Sequence, residues 1–148
     1  AADQEGGRGG WPVKCDIALP CATQGEIDLA SGNALVANGV TAGGEGANMP
    51  SSLDAIAYFQ QQKVLFAPAK AANAGGVAVS ALEMAQNSER LQWTFEEVDG
   101  RLKAIMKNIY ESARKNAEKY ADPDDLVAGA NITAFVRVAD VMLAQGLV

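Results

Sequence analysis

The chain has 148 residues, 49% apolar and 20% charged, with a formal net charge of −6. That length supports one domain with one core, and a surface of that sign repels phosphate backbones, which excludes nucleic acid as a natural partner. With no histidine and two cysteines that are not spaced as C-x-x-C, Cys/His zinc sites and Ser-His or Cys-His nucleophile pairs are excluded as well.

Residues 1–13, with the run AADQEGGRGG, read as a loop or the start of a fragment. The run lacks both an initiator Met and the apolar segment of a signal peptide, so a piece of a longer, cytoplasmic chain is expected, with Cys15 and Cys21 as reduced, packed thiols. No uninterrupted apolar run is long enough for a bilayer, and no membrane partner is expected.

KCDIALP predicts a short buried strand closed by Pro20. Asp28 then caps a helix to about Val36, with Ala30, Ala34 and Leu35 on its inner face and Asn38-Gly39 as its stop. GVTAGGEGANMP predicts a second strand and its exit loop. Ser51 with Asp54 has capping-box spacing for a second helix, with Ile56 and Phe59 facing inward. KVLFAP is a third strand ending at Pro68. Strands recurring with a helix between each pair have the rhythm of right-handed βαβ crossovers and a parallel sheet.

Beyond Pro68 the pattern is helical. One helix starts near Gly75 with a stripe of Val77, Ala81, Met84, Ser88 and Leu91. A longer one opens on a Thr94/Glu97 capping box and carries Phe95, Val98, Leu102, Ile105, Ile109, Ala113 and Ala117 inward, with acidic residues early and basic residues late, as the helix dipole favours. DPDD reads as a linker. A last helix spans about Asn131 to Gln145, with Ile132, Phe135, Val136, Ala139, Met142 and Leu143 inward and Gly146 as its stop. The fold class is therefore α/β: a partial Rossmann-like domain of three parallel strands with crossover helices, followed by a C-terminal helical region. Residues 14–92 carry the strand–helix alternation and its closing helix, and 93–148 read as further helices.

In open α/β sheets ligands bind outside the carboxyl ends of the strands. Three loops occupy those ends: PCATQ, GEGANMP and PAKAANAGG. Their small residues let ligand atoms approach the backbone. Asn48 and Asn73 suit an uncharged polar ligand edge, such as a ribose hydroxyl or an amide, or each caps its own turn. Ser80 either donates to a substrate carboxylate or fills a crowded helix face. Lys70 reads as a solvated lysine. The dinucleotide fingerprint G-x-G-x-x-G fails at GGEGAN because Met49 stands where the third glycine belongs. The glycine pair Gly75-Gly76 marks either tight packing or close approach to a ligand.

CDIALPCATQ, EGANMP, FAPAKAANAGGVAVSALEMAQNSERL and GANITAFVRVADVMLAQG resemble the C-terminal part of hexameric glutamate dehydrogenases, within the glutamate/leucine/phenylalanine/valine dehydrogenase family. The resemblance implies oxidative deamination of L-glutamate to 2-oxoglutarate and ammonia with NAD or NADP, and it implies that residues 14–92 are the second half of a Rossmann-like dinucleotide-binding domain with 93–148 as helices packing back on it. It implies that Asn48 and Asn73 lie near the nicotinamide ribose and carboxamide, that Ala22 and Thr23 line the cofactor cleft, and that Val77 and Ser80 contact glutamate, Ser80 at its distal carboxylate. The family's catalytic lysine and aspartate lie in an N-terminal domain without counterpart here. The expected partners are thus glutamate or 2-oxoglutarate, the rest of the same enzyme chain, and further copies in a homo-oligomer, a hexamer by resemblance. The segment alone is expected to be inactive. A stand-alone, non-catalytic Rossmann-like binding module is the alternative.

Overall fold

The computed structural model describes Trp11 and residues 13–146, so most of the loop expected over 1–13 lies outside the described residues. The chain divides into two compact units, one ending at Ala69 and one beginning at Lys70.

The first unit is a three-stranded sheet with two helices. Strands β1 (Ile17–Ala18), β2 (Ala42–Gly44) and β3 (Leu65–Ala67) lie in the order β1-β2-β3, all parallel. Helices α1 (Leu29–Ala37) and α2 (Leu53–Gln61) are the crossovers and pack against each other. The register sets Ala18, Gly43 and Phe66 side by side and Ile17, Ala42 and Leu65 side by side. Side chains alternate across a sheet, so the first row is one face and the second row the other. The Ala18–Gly43–Phe66 face is core: Ala18, Phe66, Leu35, Val40, Ala55, Phe59 and Ile27 are buried, and the Phe59 and Phe66 rings stack at 5.5 Å between centroids. The opposite face is bare, with Ile17 60% and Leu65 50% exposed. Parallel sheets ordinarily bury both faces.

Asp28 caps α1 by accepting from Ser31 N–H, and Asn38 with Gly39 (φ +94°) ends it. The inner face of α1 is Gly32 and Leu35, not the expected Ala30 and Ala34: Ala30 is exposed, and a Cβ on Gly32 would sit 3.5 Å from both Ala55 and Phe59. The helices approach closely there because glycine leaves room. The cap of α2 is Ser52, whose Oγ accepts from Ala55 N–H, and not Ser51. Ser51 instead forms a bridge with Ile27 and is buried, so the Ser51/Asp54 capping box does not form. Ala55 and Phe59 are the buried positions of α2, while Ile56 is half-buried.

The short helix α3 (Ala69–Ala72) begins on the last residue of the first unit, and the second unit, from Lys70, is helical, with α4 (Ala74–Glu89), α5 (Phe95–Tyr120) and α6 (Leu126–Gln145). The Thr94/Glu97 capping box forms as expected, with Thr94 Oγ1 accepting from Glu97 N–H and Glu97 accepting from Thr94 N–H at 2.7 Å. Arg101 lies over the Trp93 ring at 4.3 Å and Trp93 N–H donates to Gln86, which fixes the α4–α5 turn. Helix α6 starts five residues before the expected Asn131, because the last aspartate of DPDD, Asp125, caps it through Ala128 N–H. Gly146 (φ +82°) follows its last turn as expected.

Helices α5 and α6 meet on small residues: Ala113 and Ala117 against Gly129 and Ala130, all buried. Thr133 Oγ1 donates toward Ser112 O and Gly129 O, and Asn116 Nδ2 donates to Thr133 Oγ1 and Ser112 O, pinning the crossing. The outer parts of the expected stripes are not covered. Val77, Met84 and Leu91 are exposed, as are Phe95, Phe135, Met142 and Leu143. Helical spacing reveals an apolar stripe but not whether anything lies on it. By length and composition alone α6, 20 residues long with a mean hydropathy of 1.6 over its most apolar 18 residues, is long and apolar enough to cross a membrane. The expectation of no such span rested on uninterrupted runs, and Arg137 and Asp140 interrupt this one.

Candidate functional site

In the first unit the loops after all three strands are sewn together. Beyond β2, Glu45 N–H donates to Ala67 O at 3.1 Å, extending the ladder with β3, while Gly46 and Ala47 N–H both donate to Pro20 O, just past β1, at 2.9 and 3.0 Å. Gly25 N–H donates to Met49 O and Ile27 N–H to Pro50 O, at 3.0 and 2.9 Å. The Glu45 side chain is 2% exposed. Its Oε1 accepts from Ser51 N–H at 3.2 Å and its Oε2 from Ala69 N–H, at the opening of α3, at 2.8 Å. A Cβ at 46 would fall 2.4 Å from Cys21 Sγ, so a larger residue there would have to turn the exposed Cys21 thiol aside.

Asn48 lies exposed at the tip of this loop. The next residue, Met49, has φ +47°, the left-handed region that glycine favours. The backbone thus takes a glycine-like turn at the position where the fingerprint expected a glycine. Ala22 and Thr23, on the β1 exit loop, are exposed, and both their N–H groups donate to Glu26 Oε1, at 3.0 and 3.3 Å. The structure thereby joins the Ala22/Thr23 and Asn48 loops through their shared bonds to Pro20 and the Gly25–Ile27 segment.

In the second unit the candidates cluster at the start of α4. Asn73 occupies the position before the first helical residue, but its side chain makes no capping bond to the helix. Val77 and Ser80 follow at helical spacing, so Asn73, Gly76, Val77 and Ser80 share one stripe. That stripe is open: Val77 is 72% exposed and Ser80 is exposed. Ser80 Oγ donates to Gly76 O at 3.2 Å, a bond within its own helix. The two glycines separate by role. A Cβ on Gly75 would stand 3.3 Å from both Leu102 and Met106 of α5, so Gly75 serves packing; a Cβ on Gly76 would meet nothing within 4 Å. Among the described residues, no neighbour requires glycine at 76. Lys70 is not merely solvated: its Nζ donates to Asn131 Oδ1 on α6.

Sequence reasoning missed Glu45. It sits in GGEGAN, which drew attention for its glycines. A lone acidic residue amid small residues was the available signal, since nothing in the pattern marks it as buried.

A parallel sheet with crossover helices and strand-end loops joined at its carboxyl edge, followed by helices, define a partial Rossmann-like α/β fold. The chain belongs to the glutamate/leucine/phenylalanine/valine dehydrogenase family, whose pattern it matches over residues 2–146. It is 54% identical over 138 residues to the NADP-specific glutamate dehydrogenase of Escherichia coli strain K12, covering 93% of this chain and 31% of that protein. It is also 54% identical over 141 residues to the NAD(P)-specific glutamate dehydrogenase of Xylanibacter ruminicola, again covering 93% of this chain and 31% of that one. Among solved structures, the Plasmodium falciparum glutamate dehydrogenase superposes with a TM-score of 0.88 at 50% identity, covering 93% of this chain and 30% of that one. The chain therefore spans about a third of the length of the relatives it matches.

Proposed function

We propose that this chain is a carboxyl-side segment of a glutamate dehydrogenase using NADP or NAD, and that within a larger polypeptide it serves the oxidative deamination of L-glutamate to 2-oxoglutarate and ammonia. The observation that carries this reading is the open Asn73–Gly76–Val77–Ser80 stripe, with a glycine that no packing contact among the described residues explains, in a chain of this family. The bare Ile17/Leu65 face of the sheet argues for a larger polypeptide over a stand-alone module, since parallel sheets are buried on both sides.

The residues fit one end of the cofactor. In the first unit Asn48 offers carboxamide donors and an acceptor to a nicotinamide or its ribose, with Ala22 and Thr23 as small groups on the loop joined to it; in the second unit Asn73 offers a carboxamide of the same chemistry. A glycine fingerprint for the pyrophosphate is absent from the 148 residues, so this segment alone binds the cofactor weakly and does not turn over. When bound, the nicotinamide supplies the hydride acceptor. The remaining work here is positioning. Val77 lies along the aliphatic part of glutamate. Ser80 turns its hydroxyl from Gly76 O to the distal carboxylate, exchanging a neutral bond of about 0.5–1.5 kcal/mol for a charge-assisted one of about 1.5–3 kcal/mol, so the exchange favours binding. The polypeptide acts as a homo-oligomer, a hexamer by resemblance, in the cytoplasm.

The test is steady-state kinetics of the native polypeptide and its Ser80→Ala variant. Glutamate-dependent reduction of NADP or NAD is expected in the former. The variant is expected to raise KM for glutamate by roughly five- to tenfold, the charge-assisted bond gained less the Gly76 bond given up, about 1–1.5 kcal/mol. An unchanged KM removes Ser80 from the substrate site, and absence of glutamate turnover in the unaltered polypeptide overturns the reading.

A further inference from the structure

We infer that Glu45 is a positioning residue whose buried carboxylate holds the β2 exit loop, and Asn48 with it, in the shape that receives the nicotinamide end of the cofactor. The inference rests on the function proposed above and assigns a role to a residue that does not itself reach the cofactor.

Three observations carry it. First, Glu45 is 2% exposed, and both its oxygens are committed to backbone N–H groups, Ser51 at 3.2 Å and Ala69 at 2.8 Å. Burying a carboxylate is costly unless it is hydrogen-bonded, and no cation among the described residues pairs with it. A loop needing only two bonds could take them from neutral groups at lower cost, so the carboxylate points to a need for stiffness through charge-assisted bonds. Second, the bond to Ser51 closes a ring spanning residues 45–51 with Asn48 at its tip, so one side chain fixes where the loop begins and where it ends. Third, Met49, beside Asn48, is held at φ +47°, a conformation that a non-glycine residue keeps only where its surroundings over-determine it. The clamp, with the bonds to Pro20 and from Gly25, supplies that constraint. The second arm, to Ala69, ties the same carboxylate to the chain just past β3.

The role is tested with Glu45→Gln in the native polypeptide. Glutamine keeps the volume and one acceptor but turns an NH2 group toward the second N–H, so one arm is lost. Expected are a rise of about tenfold in KM for NADP, matched in Kd for NADPH by fluorescence titration, and a KM for glutamate changed by less than about twofold. A second variant, Ala69→Pro, removes one donor while leaving Glu45 intact at a helix-opening position that tolerates proline. It keeps the comparison if Glu45→Gln does not fold, and should shift the same parameter in the same direction. A drop in melting temperature with both KM values unchanged, or an equal rise in both, overturns the role, because a merely structural residue would give either result. Glutamate turnover lost in the unaltered polypeptide, with NADPH still bound more weakly by Glu45→Gln, sinks the reaction and keeps the clamp. NADPH affinity unchanged in the variant sinks the clamp alone, and an unaltered polypeptide that fails to bind NADPH sinks both.

Discussion

Replacing Gly129 by alanine adds one methyl group where α5 and α6 cross. Built on the backbone, its Cβ lies 2.2 Å from the carbonyl oxygen of Ala113, 2.9 Å from the carbonyl carbon and 3.0 Å from Ala117 Cβ. The obstacle is backbone, so no rotamer change relieves it. To restore an ordinary carbon–oxygen separation the helices must part by about 1 Å, and a gap of that size forfeits up to about half of each contact's attraction along the seam. Overpacking of this kind costs about 1–3 kcal/mol, and an unyielding backbone puts it at the upper end. The same movement stretches the Asn116–Thr133 and Thr133–Ser112 bonds, now 2.9 and 3.1 Å, beyond useful length, at about 1 kcal/mol each. Against this, alanine is favoured over glycine within a helix by about 1 kcal/mol. The net expectation is a loss of about 3–4 kcal/mol. Urea denaturation of the 148-residue chain, followed by far-ultraviolet circular dichroism, measures it. Gly100→Ala is the internal control: it lies in α5, its added Cβ meets nothing within 4 Å, and it should gain about 0.5–1 kcal/mol. If Gly129→Ala is neutral, or stabilises as Gly100→Ala does, the helices do not cross in contact at 129 and the reasoning fails.

Thr94→Ala removes the Oγ1 acceptor of the α5 capping box and should cost about 1 kcal/mol, read from the same denaturation curves; no change means the box is not formed in solution. Thr133→Val keeps the shape of the α5–α6 crossing but leaves Asn116 Nδ2 one acceptor short, and a loss of about 1–2 kcal/mol is expected, with an unchanged midpoint counting against the network. Gly43→Ala points a methyl into a small apolar cavity lined by Leu35, Val40, Phe59 and Phe66, at an ordinary 3.5 Å from Phe66; a gain of about 0.5–1 kcal/mol is expected, and a loss above about 1 kcal/mol shows that the cavity is already filled.

Local chemistry was the legible part of the sequence. Asp28, Thr94 with Glu97, Asn38-Gly39 and Gly146 act through bonds within a few residues, and each does in the structure what its residue type predicts. The β–α alternation gave the parallel order, because crossovers of that length admit few other topologies. What was illegible depends on partners far along the chain. Ala30 was expected inside α1, yet the helix turns Gly32 inward because Ala55 and Phe59 of α2 press there. Ser51 has a capping residue's spacing, but its bridge to Ile27, outside the three strands, buries it and leaves Ser52 to cap. The apolar stripe of α4 reads as core by period, and only three-dimensional burial shows it exposed.

The same distinction explains why the candidate site was found from its tips and not from its frame. Asn48, Asn73 and Ser80 stand out because amides and hydroxyls among small residues are chemically conspicuous. Glu45 does not, since nothing in GGEGAN tells a solvated glutamate from one that is 2% exposed. Yet the tip has little meaning without the frame. Asn48 sits beside a methionine in a backbone conformation normally left to glycine, and in an exposed, untethered loop that residue would relax and carry the amide with it. Here the loop is tied to Pro20, Gly25, Ser51 and Ala69, with the last two held by a single carboxylate. A binding amide on a loop is therefore as well placed as the most deeply buried polar group that anchors it, and in this chain that group is Glu45.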